Sequence, residues 1–242
     1  MNTAVSDVVI LCGGLGTRLK PFVSDRPKPM ALIHGQPFLD LLVEQIVSQG
    51  FRRIVFCTGH QGEQIAEYVG RRTDIDALIS RERTSLGTAG ALRACRHRLH
   101  SQTVLVLNGD SFCPIDLVSL LVVHRRRNAA ATAAVVPGDG RSDGGAIVLD
   151  VDHRITSFHE KTGGAYLNAG IYAVERPVLH QIPEHLPCSL EYDVFPALVG
   201  RGLYASVHHV PLHDIGTPAR LEAFRTWMAV SKGASDEKRV SC

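Results

Sequence analysis

The spacing of apolar positions changes along the chain, and the changes mark out its elements. Residues 8–12 form a short continuous apolar run closed at once by glycines, as a buried strand does. Over residues 37–49, Leu39, Leu42, Val43, Ile46 and Val47 recur at helical spacing, with Pro37 suited to the first turn and Gly50 to the C-terminal cap. Strands are then expected at 53–57, 74–80 and 103–107, separated by a short helix ending at Val69 and a second helix at 88–99. Strand and helix alternate through residue 110. This predicts an α/β fold with a Rossmann-like, mostly parallel mixed sheet, right-handed crossovers and flanking helices.

The pattern then shifts. A helix at 116–124 leads to a strand at 131–136, and residues 145–150 and 154–160 read as a hairpin around a turn at 151–153. Further strands are expected at 167–174 and 204–210, and helices at 192–199 and 218–230. The polar residues 231–242 read as a disordered tail. Residues 1–230 then form one domain without an internal repeat.

Composition narrows the class. The chain has 242 residues and is 45% apolar, ordinary for a globular protein. A net charge of +2 without a dense Lys/Arg stripe gives no nucleic-acid footprint, and Arg125, Arg126 and Arg127 fit the solvated end of a helix. No span reaches membrane length and no start resembles a signal peptide, so a cytoplasmic location is expected. The six cysteines lack regular spacing, and several fall in apolar strands, as reduced core residues do.

Candidate chemistry concentrates in VVILCGGLGTRLKPFVSDRPKP, from Val8 to Pro29. Gly13, Gly14 and Gly16 leave backbone N–H groups bare for an anion. Arg18 and Lys28 add positive charge, and Lys28 is stiffened between Pro27 and Pro29. A polyphosphate fits, best a nucleoside triphosphate. The stretch is neither a Walker loop nor G-x-G-x-x-G. Downstream, an aliphatic run ends in Asn108, Gly109 and Asp110, at the strand end where ligands of open α/β sheets gather. Asp110 fits Mg²⁺ beside phosphate oxygens, and read alone fits a turn or helix-cap aspartate equally well. In Leu86-Gly87-Thr88-Ala89-Gly90, small residues let a flat base approach, while Thr88 also fits a helix cap.

The string G-G-x-G-T-R-L with P-K-P beyond it resembles the signature of the sugar-1-phosphate nucleotidylyltransferases. The resemblance covers residues 8–223. It implies a nucleotide-diphospho-sugar transferase type of fold, with a nucleotide-binding half at 1–115 and a sugar-phosphate half at 116–230. It implies that Leu11, Gly13, Gly14, Gly16, Thr17, Arg18, Gly87, Thr88, Asn108 and Gly109 hold the nucleotide. Gly145, the Glu160-Lys161 pair, Asn168 and Gly170 would hold the sugar phosphate. Arg18, Lys28 and Asp110 would be catalytic, and Asp214 would join Asp110 around Mg²⁺. Read alone, Asp214 is a carboxylate near a helix start and Glu160-Lys161 an exposed ion pair. His208, His209 and His213 show no tetrahedral set with cysteines, which points away from zinc there.

The implied reaction joins a sugar 1-phosphate to a nucleoside triphosphate and releases pyrophosphate. Its nucleophile is an already ionised phosphate oxygen, so no general base is needed, and no Ser-His-Asp or Cys-His arrangement is visible. L-G-T-A-G-A-L is similar to the guanylyltransferase version. I-L-C-G-G-L-G-T-R-L and L-N-G-D-S-F look most like the D-glycero-α-D-manno-heptose 1-phosphate guanylyltransferases, which make GDP-heptose for bacterial surface polysaccharide, capsule or lipopolysaccharide. Cys12 belongs to that likeness and reads as a small buried hydrophobe. Three alternatives stay open: a mannose 1-phosphate guanylyltransferase, whose usual forms carry a further C-terminal extension, a short uridylyltransferase of an amino-sugar phosphate, and a silent nucleotide-sugar sensor. GTP and a sugar 1-phosphate are the expected partners, with a homodimer as the default assembly.

Overall fold

The computed structural model describes residues 6–14, 25–138, 140, 145–160 and 164–240. Strand β1 (Val8–Leu11) is apolar and buried at every residue, as a central strand covered on both faces must be. A small hairpin follows, β2 (Leu32–Ile33) and β3 (Gln36–Pro37). Its two turn residues, His34 and Gly35, both take positive φ (49° and 87°), as a tight hairpin turn requires. Then come α1 (Phe38–Ser48), β4 (Arg53–Thr58), α2 (Gly62–Gly70), β5 (Asp76–Arg81), α3 (Gly87–Cys95) and β6 (Thr103–Asn108). β4 and β6 flank β1, and β5 lies beyond β4, all in parallel. The predicted alternation is therefore present, with most boundaries shifted by one or two residues and the end of α3 four residues earlier than expected.

The second half extends the same sheet. It comprises β7 (Ser111–Phe112), α4 (Leu117–Arg126), β8 (Ala131–Pro137), β9 (Gly145–Leu149), β10 (Ile155–Glu160) and β11 (Tyr166–Glu175). After these come α5 (Arg176–His180), a π-helical turn (Leu190–Val194) leading into α6 (Phe195–Leu198), β12 (Leu203–Val207), β13 (His213–Asp214) and α7 (Pro218–Val240). β11 runs antiparallel to β6, β8 and β9, and β12 pairs with β8 in parallel, completing a mixed sheet of nine strands among the described residues.

Side chains of β1 alternate between two cores. Val8 and Ile10 pack with residues of α1, α2, α4 and α7, while Val9 and Leu11 pack with α3, α5 and α6. Cys12, Cys57, Cys95, Cys113 and Cys188 are free and buried, as expected. The tail departs from expectation: α7 continues through Val240 where residues 231–242 were read as disordered. Residues 231–240 are polar but include Ala, Glu, Lys and Arg, good helix formers that let the backbone bonding continue past the core contacts of Met228.

A polar cluster is set into this frame beneath α4. His124 is buried; a neutral ring serves both neighbours, donating from Nε2 to Glu175 at 3.0 Å and accepting the Thr132 hydroxyl at Nδ1, 2.9 Å away. Burial holds His124 below the ordinary histidine value, against the pull of Glu175. For Glu175 burial acts upward, but hydrogen bonds from Thr103, His124 and Gln102 leave its carboxyl below the ordinary value. Both groups therefore bind fewer protons folded than unfolded, and their contribution to stability is lost as pH falls, first through the histidine range and then through the carboxyl range. Urea midpoints are expected to fall between about pH 7.5 and about pH 5.5. His124→Leu should be less stable near neutrality and show a flatter slope; an unaltered slope would remove His124 as the cause.

Candidate active site

The parallel strands β1 and β6 end side by side, with Leu11 opposite Asn108. Gly109 N–H donates to the Leu11 carbonyl at 3.0 Å. A Cβ on Gly109 would stand 2.7 Å from that oxygen and 3.2 Å from Cys12 Cα, so only glycine lets the two strand exits meet. The chain leaving β1 supplies Cys12, Gly13 and Gly14. Gly16, Thr17, Arg18 and Lys161 lie outside the described residues, as does the side chain of Glu160.

Lys28 opens a short 3-10 turn (Lys28–Met30) between extended Pro27 and buried Pro29. Its ammonium is 2.6 Å from Asp110 Oδ2, with side-chain exposures of 15% for Lys28 and 42% for Asp110. The Ser111 hydroxyl donates to Asp110 Oδ1 at 3.2 Å. The stiffened lysine is thus aimed at the aspartate two residues beyond β6.

Asp214 reaches the same end of the sheet. β13 pairs with β7, which sets Asp214 opposite Ser111, and Ile215 N–H donates to the Asp110 carbonyl at 3.0 Å. The Asp214 carboxylate accepts from Gly216 N–H at 2.9 Å and from Arg220 at 3.0 Å. Two aspartates far apart in the chain are therefore held at neighbouring positions, Asp214 on β13 and Asp110 in the turn just before β7.

A cleft of about 370 Å³ brings together Leu11, Gly13, Gly14, Lys28, Gly87, Thr88, Asn108, Gly109 and Asp110, with Cys12, Glu82, Ser85 and Gly216 also in its wall. The Cys12 thiol is pushed up by burial, then by the charges of Asp110 and Glu82, so it stays protonated and is no nucleophile. Glu82 is a wall residue that motif reading missed. It directly follows β5, and its carboxylate stands where a Cβ on Gly13 would come within 2.7 Å. Burial raises its carboxyl, partly offset by Leu86 N–H. Its position beyond the carboxyl end of a parallel strand was the available signal.

The turn opening α3 is braced by the second half. Gly87 takes φ +76°, and a Cβ there would lie 2.3 Å from the Cys188 carbonyl. That carbonyl accepts from Ala89 N–H at 2.9 Å and Gly90 N–H at 3.2 Å. Thr88 does not cap α3. Its hydroxyl donates to Glu191 at 3.0 Å and accepts Leu190 N–H at 2.8 Å. Glu191 also accepts the Tyr172 hydroxyl at 2.8 Å, and Tyr172 accepts from Asn168 Nδ2 at 2.7 Å.

Of the expected sugar-side positions, Gly170 borders the cleft wall, and Gly145 and Asn168 lie next to one another. Gly170, at φ +70°, abuts Asn108: a Cβ would meet Asn108 Nδ2 at 2.8 Å. Asn108 Oδ1 is buried without a hydrogen-bond partner among the described residues. Gly145 pairs in register with Glu160, and the Asn168 side chain lies 3.6 Å from where a Gly145 Cβ would be.

The profile of the nucleotidyl transferase family matches residues 7–226. The chain belongs to this family. It is 35% identical over 227 residues to mannose-1-phosphate guanylyltransferase of Mycobacterium tuberculosis, covering 90% of this chain but 63% of that protein, less than two thirds of its length. It is 30% identical over 216 residues to D-glycero-alpha-D-manno-heptose 1-phosphate guanylyltransferase of Aneurinibacillus thermoaerophilus, covering 88% of this chain and 94% of that one. HddC from Yersinia pseudotuberculosis, crystallised with GMP-PN, superposes with a TM-score of 0.77 at 29% identity, over 90% of this chain and 97% of the other.

The Gly109 contact sets a clear expectation. Gly109→Ala should lose about 1–3 kcal/mol of unfolding free energy through overpacking against backbone. Gly70→Ala, where nothing lies within 4 Å, should be neutral or slightly stabilising. Equal melting temperatures for the two variants would contradict this.

Proposed function

We propose that the protein transfers GMP from GTP to a sugar 1-phosphate, giving a GDP-sugar and pyrophosphate, with D-glycero-α-D-manno-heptose 1-phosphate as acceptor. The observation that carries this reading is the Lys28–Asp110 pair, 2.6 Å apart, in a cleft whose wall includes Gly13 and Gly14. Such a site holds anions and neutralises charge, which is what displacement at a phosphate by another phosphate requires. The Lys28 ammonium would stabilise charge on the transferring group, and Arg18, with Gly16 and Thr17, would bind the triphosphate and the departing pyrophosphate. Gly145, Glu160, Lys161, Asn168 and Gly170 would hold the sugar phosphate.

Members of the family use a divalent metal. The residues here fit one: Asp110 and Asp214 offer oxygen donors only, and the ammonium on Asp110 marks that carboxylate as a place that draws a cation. Bound by these two carboxylates, Mg²⁺ would supply further charge neutralisation between the two phosphates.

Glu82 supports guanine. A carboxylate accepts two adjacent donors, and guanine presents N1–H beside its 2-amino group; uracil presents one N–H between two carbonyls. The heptose acceptor is supported by the 30% identity to the heptose relative and by the likeness to HddC. A supply of activated heptose for surface polysaccharide, made in the cytoplasm, follows from this reading. Among the described residues no helix is long and apolar enough to cross a membrane.

Purified protein offered GTP, UTP or dTTP with a panel of sugar 1-phosphates should release pyrophosphate with GTP and the heptose phosphate; no release with any pair would overturn the assignment. Lys28→Met should lower turnover by about 10²- to 10³-fold while the melting temperature stays nearly constant. Glu82→Gln should reduce the preference for GTP over UTP by about ten- to a hundredfold, read as the ratio of kcat/KM values.

A further inference from the structure

We infer that His185, Cys188 and Asp193 form a binding site for a zinc-class divalent ion, outside the cleft. One ligand atom from each lies within 4.8 Å of the other two. His185 Nε2 is 3.6 Å from Asp193 Oδ1. A tetrahedral ion with nitrogen and oxygen ligands at about 2.0–2.2 Å holds such atoms about 3.3–3.6 Å apart. That edge of the tetrahedron already has its length. Imidazole, thiolate and carboxylate together suit Zn²⁺, whereas Mg²⁺ avoids the soft pair. Three protein ligands leave a fourth position for water.

The donors are held by bonds that do not use the donor atoms. Cys188 N–H donates to the Leu86 carbonyl at 2.8 Å, and its own carbonyl accepts two amides of α3. Asp193 Oδ2 accepts Ser189 N–H at 2.6 Å, leaving Oδ1 toward His185. The thiol is buried, while the His185 side chain is 58% exposed and gives the ion its way in. On binding, the thiol proton passes to solvent as the metal–sulfur bond forms. The ion would clip together the segment that braces Gly87 and Thr88 in the cleft, so its occupancy is mechanically joined to the nucleotide side. It does not depend on which nucleotide or sugar is used.

Protein stripped with a chelator and titrated with Zn²⁺ by calorimetry is expected to take up one ion per chain at this site, unaffected by excess Mg²⁺. Co²⁺ in place of Zn²⁺ should give a thiolate charge-transfer absorption that Cys188→Ser abolishes. His185→Ala, a change at an exposed position, should melt normally without metal yet bind Zn²⁺ at least about tenfold more weakly. Zn²⁺ should raise the melting temperature of the parent protein and not of this variant. No uptake, or undiminished uptake by a normally melting His185→Ala, would overturn the site.

Discussion

The hydrogen bond from Gly109 to the Leu11 carbonyl holds the ends of β1 and β6 together, and the candidate site is assembled around that contact. Because no side chain separates the two exits, the amides of Gly13 and Gly14 and the carboxylate of Asp110 share one cleft. Parallel pairing puts both exits at the same edge of the sheet. Lys28 then has only to span from a proline-stiffened turn to reach Asp110.

The second half does more than add strands. β13 brings Asp214 beside β7, and Glu191 ties Thr88, proposed to meet the nucleotide, to Tyr172 and through it to Asn168, proposed to meet the sugar phosphate. Three hydroxyls, from Thr88, Ser189 and Tyr172, converge on that one carboxylate, which keeps its desolvation compensated. The two substrates' expected positions are thus linked by hydrogen bonds as well as by the shared sheet.

Much of this was legible in the sequence, for local reasons. β1, β4 and β6 announce themselves because strands buried on both faces are apolar at nearly every position. The paired strands β2–β3 and β7–β13 do not, since two residues carry no period. The end of α7 is not legible because a polar helix and a polar tail have similar composition. The glycines and Lys28 stand out in one contiguous motif, and Asp110 at the end of an aliphatic run. Glu82 and Glu191 do not, because what places them is contact with residues remote in the chain: Gly13 for one, Thr88 and Tyr172 for the other.

The opening turn of α3 carries no cap of its own and relies on the Cys188 carbonyl, contributed about a hundred residues later. The face proposed to meet the base is therefore finished by a distant part of the chain. A hybrid that fused the front of this protein to the rear of a cousin would set a foreign clamp over its own turn. Successful exchange of specificity would have to move the two segments as a matched set, which makes the protein far less modular than its sequential layout implies.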